Sequence, residues 1–319
     1  MDNRITKKRL NHVLSYEWVF MIFILVAVII VWELVYSWVA VKPTPGQQFR
    51  MFYDYTVSSD QTFAFEDMLI ESDTFSYEVL SIEHENVLQD SNVLSVRHEL
   101  GICDAIITDV KDVSKEDQDF LVTRAGSLID NYGALSVDDL ILNAKTYLDS
   151  LSVDGVLSDQ LIESEFRKRM VGDNRFKTEE SILKGLEEEK ARIEKIRENV
   201  VTMEAFLEYD IERVNQGKES VFYNYKRYSQ ALSQASGNNK LYIENLIESE
   251  KTENYGIKFW LLEGGAKKPT TYFSSLLTSD ITCENLVLLV FDMTEHKKEL
   301  QHETLSFVAT LVRQFTGIN

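Results

Sequence analysis

Hydrophobic and polar positions divide this chain into one long apolar block followed by short mixed segments. From Trp18 to Trp32 every residue is apolar. Glu33 interrupts the block, and Leu34 to Val41 resumes it with only Ser37 polar among the aliphatics and aromatics. A helix rises about 1.5 Å per residue, so roughly 20 apolar residues cross a hydrocarbon core of about 30 Å. Trp18, Trp32, Tyr36 and Trp38 lie toward the ends of the block, where amphipathic rings favour the interface. A cleaved signal peptide would have a shorter apolar core and a small-residue cleavage site. Ser37-Trp38-Val39-Ala40 fits that requirement poorly, so residues 18–41 read as an anchor.

Beyond the block, the periodicity alternates between strand and helix. After a breaker-rich linker at 42–48, Phe49 to Val57 (FRMFYDYTV) reads as a strand and Phe63 to Glu71 as a short amphipathic helix. Tyr77 to Ile82 reads as a second strand. Asn92 to Leu100 suits a helix closed by Gly101, which tolerates the left-handed cap. Cys103 to Thr108 (CDAIIT) is a continuous apolar run, the pattern of a strand buried on both faces. Strand and helix in alternation imply parallel crossover units.

The middle of the chain follows a helical period. Ser136 to Leu151 opens with Ser136 as N-cap and with Asp138 and Asp139 in the first turn. Asp159 to Met170 follows. Thr178 to Val214 is the longest, with Ile182, Leu186, Ile193, Ile196, Val200, Met203, Leu207, Ile211 and Val214 as its apolar row and Glu189 breaking that row. Glu188 and Arg192 read as an i,i+4 pair on the other face. A coiled-coil dimer and a helix packed on its own domain both fit this pattern. The broken heptad favours packing. Gln216 to Glu250 is polar with a helical tendency and a loop at Ser236-Gly237-Asn238-Asn239.

Strand chemistry then returns. Gly256 to Leu262 reads as a strand ended by Gly264-Gly265, and Asn285 to Phe291 (NLVLLVF) as a buried strand. Leu300 to Phe315 reads as a closing amphipathic helix. Two expectations follow. Cys103 to Thr108 and Leu286 to Phe291 should be interior strands of one sheet, with Phe49 to Val57 the other central strand. The closing helix should cover that sheet with Leu305, Val308 and Val312.

Charge sets the setting. Arg4, Lys7, Lys8 and Arg9 precede the anchor and only Lys42 follows closely, which places the N-terminus in the cytoplasm and the rest outside. The expected location is therefore the cell membrane, single-pass, with an extracytoplasmic C-terminal domain. The expected cytoplasmic tail, residues 1–17, is too small for an enzymatic or signalling output. The whole chain carries a formal charge of −19; the tail is locally basic, so the acidity belongs to the outer part and disfavours nucleic acid as a partner. Cys103 and Cys283 do not make a disulfide framework and are expected to be separate buried thiols. No N-x-S/T sequon occurs, which suits a bacterial envelope.

Candidate chemistry is sparse. Glu83-His84-Glu85 sits at a strand end, where neighbours point to alternate faces and cannot converge unaided. His98-Glu99 and His302-Glu303 lack a second ligand pair. No H-E-x-x-H, G-x-S-x-G, Walker loop or G-x-G-x-x-G is present, so no cofactor and no enzymatic activity are expected. The densest aromatic-polar cluster is Phe222 to Tyr228. Tyr223, Tyr225, Arg227 and Tyr228, together with Trp260, are the candidate ligand-binding residues, because sugars stack on rings and bond through polar neighbours. The plainer reading buries Phe222, Tyr225 and Tyr228 on an amphipathic helix and Trp260 in a core.

The segment from Leu94 to Leu135 resembles the first lobe of extracytoplasmic solute-binding proteins of ABC importers. The matching positions are Gly101, Asp104 to Asp109 and Gly133 to Leu135, with Leu128-Ile129-Asp130 close by. NLVLLVFDM and the following QHETLSFVATLVRQF resemble that lobe's return strand and its packing helix. The whole layout is similar to membrane-anchored, binding-protein-like proteins of Gram-positive bacteria that accompany sugar importers. This resemblance implies a periplasmic-binding-protein-like α/β lobe with a mainly parallel sheet. The lobe would be built from 49–135 and 251–319, with a large helical insertion at 136–250. It also implies ABC permease subunits as partners and a carbohydrate as solute. The chain departs from the family in two places. The insertion reads as helices where a second α/β lobe should be, and the transmembrane helix replaces a lipid-bearing cysteine. An envelope protein that docks a membrane partner without binding solute is the alternative, and a hydrolase is a third class.

Overall fold

The computed structural model describes residues 18–39, 47–54, 66–87, 91–110, 124–173, 175–225, 253–269, 285–291, 293 and 302–318. Two compact units divide the chain, Met1–Pro43 and Thr44–Asn319. The first contains helix α1 (Trp18–Val39), continuous through Glu33 and exposed from residue 18 to residue 36. It is long and apolar enough to cross a membrane, a property that a signal sequence shares.

The second unit is an α/β domain. In order its elements are β1 (Gln48–Asp54), α2 (Glu66–Glu71), β2 (Ser81–Asn86), α3 (Ser91–Glu99), β3 (Ala105–Asp109) and α4 (Arg124–Tyr132). There follow α5 (Val137–Ser150), the hairpin β4 (Ser152–Val153) and β5 (Val156–Leu157), α6 (Asp159–Arg169) and α7 (Glu179–Asn215). The chain closes with β6 (Phe222–Tyr225), β7 (Glu253–Lys258), β8 (Leu286–Val290) and α8 (Glu303–Thr316).

Six strands form one sheet in the order β2-β1-β3-β8-β7-β6. β1 pairs in parallel with β2 and with β3. β3–β8, β8–β7 and β7–β6 are antiparallel. The sheet is therefore mixed, and the expectation of a mainly parallel sheet is corrected. Only the β1–β2–β3 part is built by crossovers, and the three late strands each reverse direction. β3 and β8 are neighbours, as expected, with Ile106 opposite Leu289 and Ile107 opposite Leu288.

Alternation along the strands feeds two cores. Met51, Ala105, Ile107, Leu286, Leu288 and Val290 face one cluster, shared with α5, α6, α7 and α8. Phe52, Ile106, Val287 and Leu289 face the other, with Leu94 of α3 and Ala125, Leu128 and Ile129 of α4. α8 lies on the first face, where Leu305, Val308 and Val312 are buried as expected. α7 packs on its own domain through Leu186, Ile193, Ile196, Val200, Met203 and Phe206. Ile211 and Val214 of its apolar row are exposed instead.

Local signals explain the helix starts. The Ser136 hydroxyl accepts from the Asp139 amide at 3.0 Å. Thr178 and Ser181 form a reciprocal capping box at the start of α7. Gly101 closes α3 at φ +68.

Three elements differ from expectation. The second strand runs Ser81–Asn86, and Tyr77 lies in a turn before it, because its hydroxyl is drawn to Glu189 at 2.9 Å. Within the stretch expected to be helical, Phe222–Tyr225 is a strand of the main sheet, because β7 supplies an edge to pair with. β7 ends at Lys258, and Phe259–Leu261 is a 3-10 turn that seats Phe259 against Phe315, ring centroids 6.4 Å apart. Residues 55–57, 63–65, the Ser236–Asn239 loop, Cys283 and Leu300 lie outside the described residues, as does most of the linker. Cys103 is fully buried.

Candidate functional site

Three places in the domain bring polar chemistry together. The first is where the strand order reverses. β1 lies between β2 and β3, so the crossover from β1 to β2 and the return from β2 to β3 run in opposite directions on opposite faces of the sheet, and α/β sheets place ligands outside the carboxyl ends of strands at such a point. There Asp54 ends β1 beside Thr108 of β3, with Asp109 next in the chain. Asp54 is buried, and the Thr108 hydroxyl is buried with no hydrogen-bond partner among the described residues. Asp104, from the motif that carries the family resemblance, lies at the other end of β3. Its carboxylate accepts the Arg50 amide at 2.7 Å, and its carbonyl accepts the Phe291 amide at 3.0 Å. Asp104 therefore ties β1, β3 and the end of β8 together.

The second is a buried charged network between α6, α7, α8 and the turn before β2. Glu189 is central. It accepts from Arg169 at 2.7 Å, from Arg192 at 2.8 and 3.0 Å, and from the Tyr77 hydroxyl at 2.9 Å. Burial alone would push the Glu189 carboxyl up, but the Arg192 and then the Arg169 guanidinium outweigh it and hold it at about 2. Glu78, fully buried, receives Arg175 at 3.0 Å and Arg169 at 3.4 Å. Arg192 also reaches the Tyr147 hydroxyl at 3.0 Å, and burial raises that phenol. The inward turn of Arg192 corrects its expected place on the solvent face with Glu188.

Glu303 is buried at the start of α8, where its carboxylate accepts the Ser76 amide at 3.2 Å. Burial pushes its carboxyl up, against the lowering influence of Arg192. Neighbouring His302 lays its ring 4.8 Å from that of Tyr147. The network has acids, bases and phenols, but Glu189 is saturated by four donated bonds. That arrangement locks helices together and leaves little capacity for substrate. Beside it, a cleft of about 500 Å³ is lined by Leu69, Ile70, Phe75, Val79 and Leu80, with Glu66 and Asp73 among its polar residues.

The third is the tyrosine cluster. Tyr223 and Tyr225 share one side of β6, with rings 6.1 Å apart and 15° from parallel. The Tyr225 hydroxyl donates to Asp130 of α4 at 2.6 Å. Its ring occupies the space left by Gly126, where any Cβ would meet it. Trp260 sits on the 3-10 turn rather than in a strand, half-buried against both cores. The structure thus brings Tyr223 and Tyr225 together and places Trp260 against the same core cluster. Arg227 and Tyr228 lie outside the described residues.

Glu83-His84-Glu85 does not converge. Glu83 pairs with Arg50, Glu85 with Arg97 at 3.4 Å, and the His84 ring lies over Tyr53. Among the described residues no group of three or more His, Cys, Asp or Glu side chains is arranged to hold a metal ion. Sequence reasoning missed Asp54, Thr108 and Glu78, and weighed Glu303 only beside His302 as a ligand pair. The one available signal for the network was Glu189 interrupting an apolar row.

No family model, no curated protein and no solved structure matches the chain.

Proposed function

We propose that this chain is a membrane-anchored interaction component of the cell envelope: an α/β lobe held outside the membrane by α1 and docked on a membrane partner. The observation that supports this reading is the position of α5, α6 and α7. They share one hydrophobic core with the sheet, so among the described residues there is no second lobe and no interlobe cleft. The charged network, saturated by its own members, adds rigidity to the lobe and contributes no turnover.

A second reading keeps solute binding: a binding-protein-like component of an ABC importer for carbohydrate. One feature favours it. The chain leaves the sheet after β3, builds the helices, and returns through β6 at the edge and β7 to β8 beside β3. A binding-protein lobe requires such an excursion and return. The strand-end pair Asp54 and Thr108 and the stacked Tyr223 and Tyr225 would be its polar and aromatic contacts.

Calorimetric titration of the full chain in nanodiscs with mono-, di- and oligosaccharides separates the two. Docking without solute expects no saturable heat, together with a specific crosslink from the lobe to a membrane protein in the native cell. Saturable saccharide binding that is lost in Tyr223→Ala supports the importer reading. Absence of both heat and crosslink removes both readings.

A further inference from the structure

Helix α1 carries a single acidic side chain, Glu33, and no basic one along its length. It stands six positions before the helix end at Val39, about 9 Å along the helix axis, and within the apolar span Trp18–Tyr36. A glutamate has only two methylenes, so it lacks the reach by which lysine and arginine carry their charge to the interface. An ionisable residue at that depth faces a partner or a water-filled cavity.

The residues around it form a seam. Val19, Ile22, Val26, Ile29 and Tyr36 lie at steps of three and four on the side of the helix that Glu33 marks; the helix is apolar on every side, so Glu33 alone distinguishes this face. All six are exposed on α1. Phe20, Ile24 and Val31 lie on the opposite side of the helix. A lone polar residue within an interhelical seam fixes its register. The seam is therefore the face that carries the carboxylate.

We propose that α1 docks through this face against one transmembrane helix of a different protein, and that this helix carries a lysine or arginine at the depth of Glu33. Charge complementarity selects that occupant. A second copy of this chain would set Glu33 against Glu33, and two carboxyls at close range can persist only by sharing a proton, which gives up one of the two charges. A purely apolar helix would leave the carboxylate in hydrocarbon. This inference rests on the membrane-anchored docking reading and names the chemistry of its partner.

The test uses the full chain in its native membrane, with a photo-crosslinking residue at Ile29 on the seam or at Val31 opposite it. Carbonate extraction is done first. Release of the chain overturns the anchor and the seam together. Retention with crosslinks from the lobe but none from Ile29 overturns the seam alone and leaves lobe docking intact. The expected result is an Ile29 adduct with a span that contains lysine or arginine. Its yield should fall about tenfold in Glu33→Gln, which keeps the shape and removes the charge. Equal yield from Val31, an adduct between two copies, a partner span without a basic residue, or an unchanged yield in Glu33→Gln each overturns the proposal.

Discussion

Glu189 and Arg192 sit one helical turn apart on α7, and both turn into the protein, where they pair at 2.8 Å with side chains only 3% and 2% exposed. Arg169 of α6 and Tyr77 from the turn before β2 close on the same carboxylate. Two helices and a distant turn thus meet at one group. Ionic pairs so deep add little stability over a well-packed apolar substitute, but removing one partner leaves the other charge stranded.

Glu189→Gln should therefore destabilise the domain by about 3 kcal/mol, because Arg192 loses its counter-charge while still buried and Arg169 is left with Glu78 alone. Replacing Glu189 and Arg192 together by leucine should cost much less than the sum of the single changes. Denaturant unfolding of the wild type, Glu189→Leu, Arg192→Leu and the double variant completes the cycle. Additive costs would show that the two residues act independently.

Stability should also follow the protonation of Glu189. Its folded carboxyl is held at about 2, below the ordinary value of 4.5. The stability it contributes is fully present above pH 4.5 and is lost as pH falls toward 2, an effect of about 3 kcal/mol. Thermal unfolding of the wild type should soften across that window, and Glu189→Gln should flatten the response.

Glu303 carries the opposite sign. Burial raises its carboxyl in the folded state, so the folded form holds its proton more tightly than the unfolded chain. Its contribution falls as pH rises above the ordinary carboxylate value. Glu303→Gln keeps an oxygen for the Ser76 amide and cannot ionise. It should raise the melting temperature at pH 8 and leave it nearly unchanged at pH 4. A lower melting temperature at pH 8 would show that the ionised carboxylate is favoured there.

What was legible in the sequence was what local physics decides. Ser136 and Thr178 announce their helices, because a hydroxyl satisfies amides within its own first turn. The apolar runs from Ala105 and from Leu286 announce buried strands, and a strand covered on both faces reads as one continuous run. Phe222 to Tyr225 carried the wrong period, because its strand exists only where β7 offers an edge, beyond residues 226–252. Glu189 was visible as a break, but its partners were not. Arg169 is 20 positions away and Tyr77 is 112 positions away, and no spacing rule reaches that far. At the site, a tyrosine cluster announces itself by composition. Asp54 and Thr108 become neighbours only through strand register.

The pairing of β3 with β8 is a direct target. Ile106 is fully buried and Leu288 is 2% exposed, on opposite faces of the sheet. Ile106→Asp or Leu288→Asp should each cost several kcal/mol, about 4, by placing an unpaired charge in a core. Both should abolish the cooperative transition at 37 °C. A folded Leu288→Asp protein would mean that β8 is dispensable to the lobe.

Gly265 tests the other end of the closing helix. Its amide donates to the Phe315 carbonyl at 2.9 Å, and the Lys267 amide donates to Gln314 at 3.1 Å. These carbonyls belong to the last turn of α8, which has no helical partners of its own to offer. The loop after the 3-10 turn thus caps the helix from the side. It can do so only because Gly265 has no side chain. A Cβ there would overlap the Gln314 oxygen and the Phe315 carbonyl carbon, both backbone atoms that cannot rotate away. Gly265→Ala should therefore force the loop off the helix, break both bonds and cost about 3 kcal/mol. Gly133 provides the contrast. It adopts φ +63 with no atom within 4 Å of its Cβ position, so Gly133→Ala meets backbone strain alone, about 1 kcal/mol. Unfolding midpoints should separate the two by several degrees. Amide exchange at Gly265 and Lys267, read in the Gly133→Ala protein and in a Gly265→Ser variant, should remain protected in the first and open in the second. Equal losses for the two alanine variants would mean that conformational freedom at residue 265, and not its close approach to α8, is what the fold requires.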